Sequence, residues 1–125
     1  MTGNRHNQAL GAWGELVAAT YLEAHGYTIL ARNWRCALGE IDLVAQGPAG
    51  LVMAEVKTRR GRSSGAPEEA VTAHKAERLR ALAQAYLAEH DLDEVDVRID
   101  VLAVELDAGG KLLRCEHYPN AVAAW

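Results

Sequence analysis

Residues 39–60 read GEIDLVAQGPAGLVMAEVKTRR, and this stretch decides the fold. Two apolar runs flank the turn-type sequence QGPAG, so the pattern predicts a β-hairpin. Each run also carries charge, with Glu40 and Asp42 in the first and Glu55 and Lys57 in the second. Because a charge is costly to bury without a partner, charges inside apolar strands call for a chemical explanation.

The hairpin belongs to a longer series of helical and extended segments. Apolar residues recur at helical spacing before Gly26, and strand-like runs lie on both sides of the hairpin. The runs 50–58 and 96–106 are apolar in both registers, which is typical of strands in a sheet covered on both faces. The sequence therefore predicts one α/β domain over residues 1–125, with a mixed sheet between helices and the order α-β-β-β-α-β-β. The predicted elements are a helix over 7–25, strands over 27–34, 39–46 and 50–58, a helix from Pro67 to about residue 89, and strands over 96–106 and 111–118.

Length and composition exclude several classes of protein. A chain of 125 residues fits a single domain, and it contains no apolar run long enough to span a membrane. The first residues lack the apolar core of a secretory signal, and Cys36 and Cys115 stand alone, so we expect reduced thiols and a cytoplasmic location. His74 and His117 lack the spacing of a zinc site, and no phosphate-binding glycine motif is present.

For contact with nucleic acid, the distribution of charge along the chain matters more than the net charge of −4. Ten of the thirteen basic residues lie within residues 1–80, which hold eight acidic residues. A phosphate backbone at short range responds to such a local patch, so nucleic acid is a candidate partner. The alternative is ordinary solvated surface charge. The basic clusters are Arg32 and Arg35, then Lys57, Arg59, Arg60 and Arg62, then Lys75, Arg78 and Arg80.

The charges within the hairpin have two interpretations, a metal site or a structural arrangement of charges. Side chains alternate along a strand, so Glu55 and Lys57 share a face, and pairing through the turn lets Asp42 approach Glu55. Two close carboxylates repel unless a cation lies between them, and oxygen ligands suit Mg²⁺ or Mn²⁺. A glutamate two residues before a lysine arises by chance roughly once in a chain of this size. A solvent-facing strand end or a structural ion pair therefore stays open as the alternative.

Two helical residues break their local pattern. Glu15 has only Gly and Ala at positions three and four residues away, so the helix can approach the sheet and draw Glu15 inward. Lys75 ends the apolar stripe of the second helix, from which it can point over the sheet toward the carboxylates and a phosphate. The alternatives are an exposed glutamate on an alanine-rich face and a lysine that reaches to the surface.

The pattern as a whole resembles the YraN family of bacterial proteins. The resemblance rests on GAWGELVAATYLEAHGYTILARNWRCALGEIDLVA, LVMAEVKTRR, the helix with Lys75, RIDVLAV and HYPNAV, and it covers most of the chain. That family resembles the PD-(D/E)-x-K nuclease superfamily, which implies a three-layer restriction-endonuclease-like fold. Its layout is similar to that of archaeal Holliday-junction resolvases. Glu40 belongs to the GEIDL run, and its role is left open.

The resemblance implies a role for each matching residue. Asp42 matches the metal-binding aspartate, and Glu55, after twelve intervening residues, matches the second acidic ligand. The Val56 carbonyl is the implied third ligand, Lys57 the catalytic lysine, and Glu15 the glutamate of the first helix that binds metal or water.

The resulting hypothesis is an Mg²⁺- or Mn²⁺-dependent endonuclease that cleaves nucleic acid, with DNA, branched DNA included, as the expected substrate. A homodimer is an allowed state. The rival hypothesis is a nucleic-acid-binding or adaptor module that keeps the fold without cutting, and a purely structural protein is the third. The residues expected to hold the nucleic-acid backbone are Arg59, Arg60, Lys75, Arg32 and Arg35, with the loop 61–66.

Overall fold

The computed structural model describes residues 2–60 and 72–122, with side chains from residue 9 onward. Within these residues the predicted element order is confirmed, as two helices and five strands. The elements are α1 (Thr2–Ala24), β1 (Thr28–Cys36), β2 (Gly39–Gly47), β3 (Gly50–Arg60), α2 (Ala73–Glu89), β4 (Val97–Leu106) and β5 (Leu112–Val122).

The strands form a single mixed sheet in the order β1-β2-β3-β4-β5. Neighbouring strands are antiparallel except β3 and β4, which run parallel. A parallel pair needs a long crossover connection, and α2 lies in that connection. The predicted mixed sheet is therefore confirmed, and β3 is its central strand.

Each face of the sheet is covered by one helix, which gives the three layers predicted. Helix α1 packs Ala18, Ala19 and Leu22 against one face, and the strand residues in that core include Leu43 and Leu102. Helix α2 covers the other face in a separate core, whose buried members include Leu79, Leu82, Ala83, Val44, Met53 and Ile99. Burial on both faces explains why β3 and β4 are apolar in both registers. Neither described helix is long and apolar enough to cross a membrane.

Several predicted boundaries shift. Helix α2 begins at Ala73 rather than Pro67, because the extended backbone of Thr72 caps it and the Thr72 hydroxyl accepts a hydrogen bond from the Lys75 N–H at 3.2 Å. Pro67 itself lies outside the described residues. Strand β5 continues to Val122, four residues beyond the prediction, and α1 begins at Thr2. The shift at α2 places Lys75 in the first turn of the helix.

Helix α1 approaches the sheet most closely at Gly14. A Cβ at this position would overlap the Thr58 side chain of β3, whereas a Cβ at Gly11 would meet open space. Small residues at such a crossing let a helix lie close to its partner. The close approach brings the next residue, Glu15, to the part of the sheet that carries the charged hairpin.

A closed polar network anchors β4 to β5 on the α1 side. Asp100 is fully buried and accepts hydrogen bonds from Arg98 at 2.8 Å and from the Asn120 N–H at 2.8 Å. It also lies 2.6 Å from His117 Nε2, and the His117 ring sits edge-on to Tyr21. Arg98 and Asp100 are two residues apart on β4, so strand alternation places them on one face, where they form an ion pair. Burial alone would raise the pKa of Asp100, but the bonds from His117, Arg98 and Asn120 hold it below its ordinary value.

The close approach of α1 predicts opposite effects for two glycine substitutions. We expect Gly14→Ala to destabilise the protein by about 1–3 kcal/mol, because the added methyl group forces α1 away from Thr58. Gly11→Ala adds the same methyl group to the same helix without a clash and should stabilise it by up to about 1 kcal/mol. Urea unfolding of both variants measures the difference, and equal effects would contradict the packing described.

The Asp100 network predicts a loss of stability that depends on pH. Asp100→Asn should cost about 3 kcal/mol at pH 7, because it breaks a buried ion pair and leaves Arg98 without its counter-charge. The pKa of Asp100 is lower in the folded state than in the unfolded state. Ionised Asp100 therefore stabilises the protein at a pH above its unfolded-state pKa, and this stabilisation is lost as the pH falls through its folded-state pKa. Unfolding curves should therefore converge with wild type in acid. Glu116→Gln, at the exposed Arg114 pair, serves as a control that should change little.

Candidate active site at the parting of β2 and β3

The charged part of the hairpin lies where β2 and β3 separate. The two strands pair from Gly47 and Gly50 as far as Leu43 and Ala54. At the next position the Asp42 carboxylate replaces a backbone acceptor, and the Val56 N–H donates to Asp42 Oδ2 at 2.8 Å. The last hydrogen bond between β2 and β3 is therefore accepted by a side chain instead of a backbone carbonyl. It fixes Asp42 at the fork, the point where the two strands separate.

Asp42 lies between the two layers of the protein. Ile41 packs in the core beneath α2, whereas Leu43, two residues later, packs in the core beneath α1. In a regular strand these two side chains would share a face, so the alternation is broken across Asp42. This local irregularity makes one carboxylate accessible to residues of both helices.

The two hairpin carboxylates have opposite protonation tendencies. Burial raises the pKa of Asp42 to about 8, the neighbouring carboxylates of Glu55 and Glu15 act in the same direction, and the Val56 N–H opposes them. Burial would also raise the pKa of Glu55, but Lys75 and then Lys57 hold it below its ordinary value. The pair therefore favours one proton and one negative charge, as expected for two carboxylates brought together.

Two lysines converge on Glu55, which is 8% exposed. Lys75 Nζ lies 2.5 Å from Glu55 Oε2, and Lys57 Nζ lies 3.3 Å from the same oxygen. Burial and the neighbouring Lys75 lower the pKa of Lys57, and Glu55 opposes them. The alternation that predicted Glu55 and Lys57 on one face is confirmed, and Lys75 joins them from α2.

A group of acidic residues surrounds Asp42 on its other side. Ligand atoms of Glu15, Glu40 and Asp42 lie within 4.8 Å of one another, so this group could hold a metal ion. Asn33 Nδ2 donates to Glu15 Oε1 at 3.0 Å and to Glu40 Oε1 at 3.1 Å. Arg35 pairs with the second oxygen of Glu40 at 2.7 Å. One amide thus holds together two carboxylates that would otherwise repel.

The donor set fits a hard divalent cation. Its side-chain donors are carboxylate oxygens, which Mg²⁺ and Mn²⁺ prefer to nitrogen or sulfur. The raised pKa of Asp42 is the expected sign of carboxylates that lack sufficient positive charge nearby. A cavity of about 330 Å³ opens onto the group, and its lining includes Glu40, Asp42, Glu55, Val56, Lys75 and Arg78.

The structure brings together most residues that the sequence singled out. Glu15, Asp42, Glu55, Lys57 and Lys75 form one continuous group. Of the basic residues expected to hold nucleic acid, Arg35 pairs with Glu40, Arg59 and Arg60 lie at the end of β3, and Arg32 is exposed on β1. The loop 61–66 lies outside the described residues.

Sequence reasoning missed Asn33. The residue lies within β1 with a positive φ of 50°, where its side chain bridges α1 and β2. A signal was available, because asparagine is depleted in strands and is one of the few residues that tolerate positive φ. The same signal marks Asn120, whose φ is 52° and whose N–H binds Asp100.

Comparison with known proteins decides the family. The model of the uncharacterised protein family UPF0102 matches residues 14–104, which include the hairpin, Glu15, Lys75 and the Arg98–Asp100 pair. The chain belongs to the UPF0102 family. The predicted resemblance to the YraN family is thereby confirmed, since this is the same family.

Members of the UPF0102 family match along nearly the whole chain. The UPF0102 protein of Roseiflexus castenholzii is 50% identical over 123 residues, covering 98% of both chains. That of Beutenbergia cavernae is 51% identical over 113 residues, covering 90% of this chain and 95% of its own. Among solved structures, Pyrococcus furiosus SfsA in complex with Ca²⁺ is similar with a TM-score of 0.42 and 15% identity, over 86% of this chain and 62% of that one.

The raised pKa of Asp42 predicts how the protein responds to pH when metal is removed. Because the folded-state pKa lies above that of an unfolded chain, the stability contributed by protonated Asp42 is present below about pH 4 and is lost as the pH rises through about 8. In EDTA we expect Asp42→Asn, which cannot ionise, to be more stable than wild type above pH 8, by several degrees in melting temperature. The difference should shrink toward pH 4.

The matched control is Asp93→Asn, which makes the same substitution at an exposed residue. Its melting temperature should follow that of wild type at every pH. An Asp42→Asn protein whose difference from wild type does not grow with pH would contradict the protonation assigned to Asp42.

Proposed function

We propose that this UPF0102 protein is a metal-dependent endonuclease of the PD-(D/E)-x-K superfamily, which hydrolyses phosphodiester bonds of nucleic acid. The observation that carries the proposal is the convergence of Asp42, Glu55 and Lys57 at the fork of two buried strands, with Glu15 beside them. A structural ion pair would not need several carboxylates around one aspartate whose pKa is raised to about 8.

In this proposal each residue has a defined task. Asp42 and Glu55 would hold Mg²⁺ or Mn²⁺ together with the Val56 carbonyl, and Glu15 would bind the ion or its water from the side of α1. When bound, the ion supplies Lewis-acid activation of water and phosphate. Burial and Lys75 lower the pKa of Lys57, so its ammonium releases a proton more readily than that of an exposed lysine and can orient the attacking water or exchange a proton with it.

The basic residues supply the binding surface for the nucleic-acid backbone. Arg59 and Arg60 extend β3 beyond the site, and Lys75 lines the cavity with 28% of its side chain exposed. Such contacts to phosphates carry most of the affinity for nucleic acid and little sequence specificity. DNA, branched DNA included, is the proposed substrate, and a homodimer and a cytoplasmic location remain part of the proposal.

The test is cleavage of labelled single-stranded, duplex and branched DNA, and of matching RNA, by the purified protein with Mn²⁺ or Mg²⁺. We expect wild type to cleave DNA, and Asp42→Asn and Lys57→Met to cut at least about 10²-fold more slowly. Asp93→Asn should keep wild-type activity. Cleavage that persists undiminished in the Asp42 and Lys57 variants comes from a contaminant and would remove the catalytic assignment.

Metal-induced stabilisation separates a nuclease from a module that only binds. The melting temperature of wild type should rise with Mn²⁺, and that of Asp42→Ala should not. A binding module would instead show salt-sensitive DNA affinity that survives Glu55→Gln, with no thermal response to the metal.

A further inference from the structure

The ammonium groups of two lysines contact the same carboxylate oxygen of Glu55. Lys75 Nζ lies 2.5 Å and Lys57 Nζ 3.3 Å from Oε2, and the closer of the two comes from the helix rather than from the hairpin. A carboxylate that is nearly buried needs one counter-charge to offset the loss of water. Glu55 has two counter-charges, one more than it needs. Both lysines therefore contact a carboxylate that is itself proposed as a metal ligand.

The two lysines differ in how they are held. Lys57 is two residues from Glu55 on the same strand, so the pleat of β3 keeps their side chains together. Lys75 belongs to the first turn of α2, and its charge reaches Glu55 through a flexible four-carbon stem. Lys75 and Glu55 both line the cavity and Lys57 does not, so rotation about the stem can move the Lys75 ammonium from Glu55 into the cavity. Lys75 can therefore leave Glu55 while Lys57 stays.

From this geometry we propose that Lys75 is a displaceable counter-ion of Glu55, which competes with the divalent cation for that carboxylate and, once displaced, binds a phosphate of the nucleic acid. The inference rests on the proposed function, because it takes Glu55 as a metal ligand. A divalent ion bound by Glu55 would repel the Lys75 ammonium, because Lys75 Nζ lies 2.5 Å from Oε2 of the same carboxylate.

The proposal couples the binding of metal to the binding of nucleic acid. Metal binding frees the Lys75 ammonium for phosphate, and a phosphate that holds Lys75 away from Glu55 leaves the carboxylate to the metal. By linkage, each ligand then strengthens the binding of the other by the same factor. Removing Lys75 should therefore act in opposite directions on the two affinities, which a loss of folding or a general loss of structure would not do.

The experiment measures Mn²⁺ affinity by calorimetry on the full chain without nucleic acid, for wild type, Lys75→Met, Lys75→Arg and Arg78→Met. We expect Lys75→Met to bind Mn²⁺ about tenfold or more tightly than wild type, because methionine keeps the stem and removes the competing charge. Lys75→Arg keeps the charge and should stay near wild type. Arg78→Met is the matched control, because Arg78 lines the same cavity but does not pair with Glu55 among the described ion pairs. It removes an equal charge and should change the Mn²⁺ affinity little.

A second measurement follows the binding of a labelled DNA oligonucleotide in Ca²⁺. Lys75→Met should bind it about three- to tenfold more weakly, with a salt dependence reduced by about one phosphate contact. Melting curves show whether each variant folds. If Lys75→Met does not fold, Lys75→Gln replaces it in both measurements.

The outcomes separate this inference from the function on which it rests. Equal or weaker Mn²⁺ binding by Lys75→Met and Lys75→Gln would overturn the competition and leave the nuclease proposal standing. Unchanged DNA affinity would overturn the phosphate role of Lys75. Failure of every variant and of wild type to bind Mn²⁺ would overturn the metal site itself, and this inference with it.

Discussion

The parting of β2 and β3 beyond Leu43 and Ala54 is the constraint on which the site depends. Within a sheet every backbone N–H needs an acceptor, and at the fork the Val56 N–H has lost the neighbouring strand. The Asp42 carboxylate takes the place of that strand at 2.8 Å. This hydrogen bond thus replaces the backbone acceptor that β2 no longer supplies. It also fixes Asp42 at the point where residues of both helices can reach it.

The surrounding charges follow from that placement. An aspartate held at the fork lies beside Glu55 on the partner strand, and the close packing of α1 at Gly14 adds Glu15. Asn33 and Arg35 moderate the repulsion around Glu40, while Lys57 and Lys75 neutralise Glu55. Asp42 itself receives no ammonium or guanidinium partner among the described ion pairs. A divalent ion bound at Glu15, Glu40 and Asp42 would supply the positive charge that this side of the site lacks.

The fully buried Asp100 and the half-buried Asp42 show how differently one residue type can be used. Asp100 is surrounded by Arg98, His117 and a backbone N–H, and its pKa is lowered. Asp42 is surrounded mainly by other carboxylates, and its pKa is raised to about 8. The Asp100 network is complete without a ligand and ties β4 to β5. A carboxylate that lines a cavity and whose pKa is raised is a candidate functional residue, and Asp42 meets both criteria.

The sequence by itself determined the element order, the hairpin and the proximity of Asp42, Glu55 and Lys57. These follow from local rules, because the turn fixes which strands pair and the two-residue period fixes which side chains share a face. The helix start at Ala73, the break in alternation across Asp42 and the bridge made by Asn33 were not predicted. Only the tertiary structure joined Glu15 of α1, Asn33 and Glu40 of neighbouring strands, and Lys75 of α2 into one site. These residues are far apart in the chain, and their meeting depends on how closely each helix packs on the sheet, which a periodic pattern does not specify.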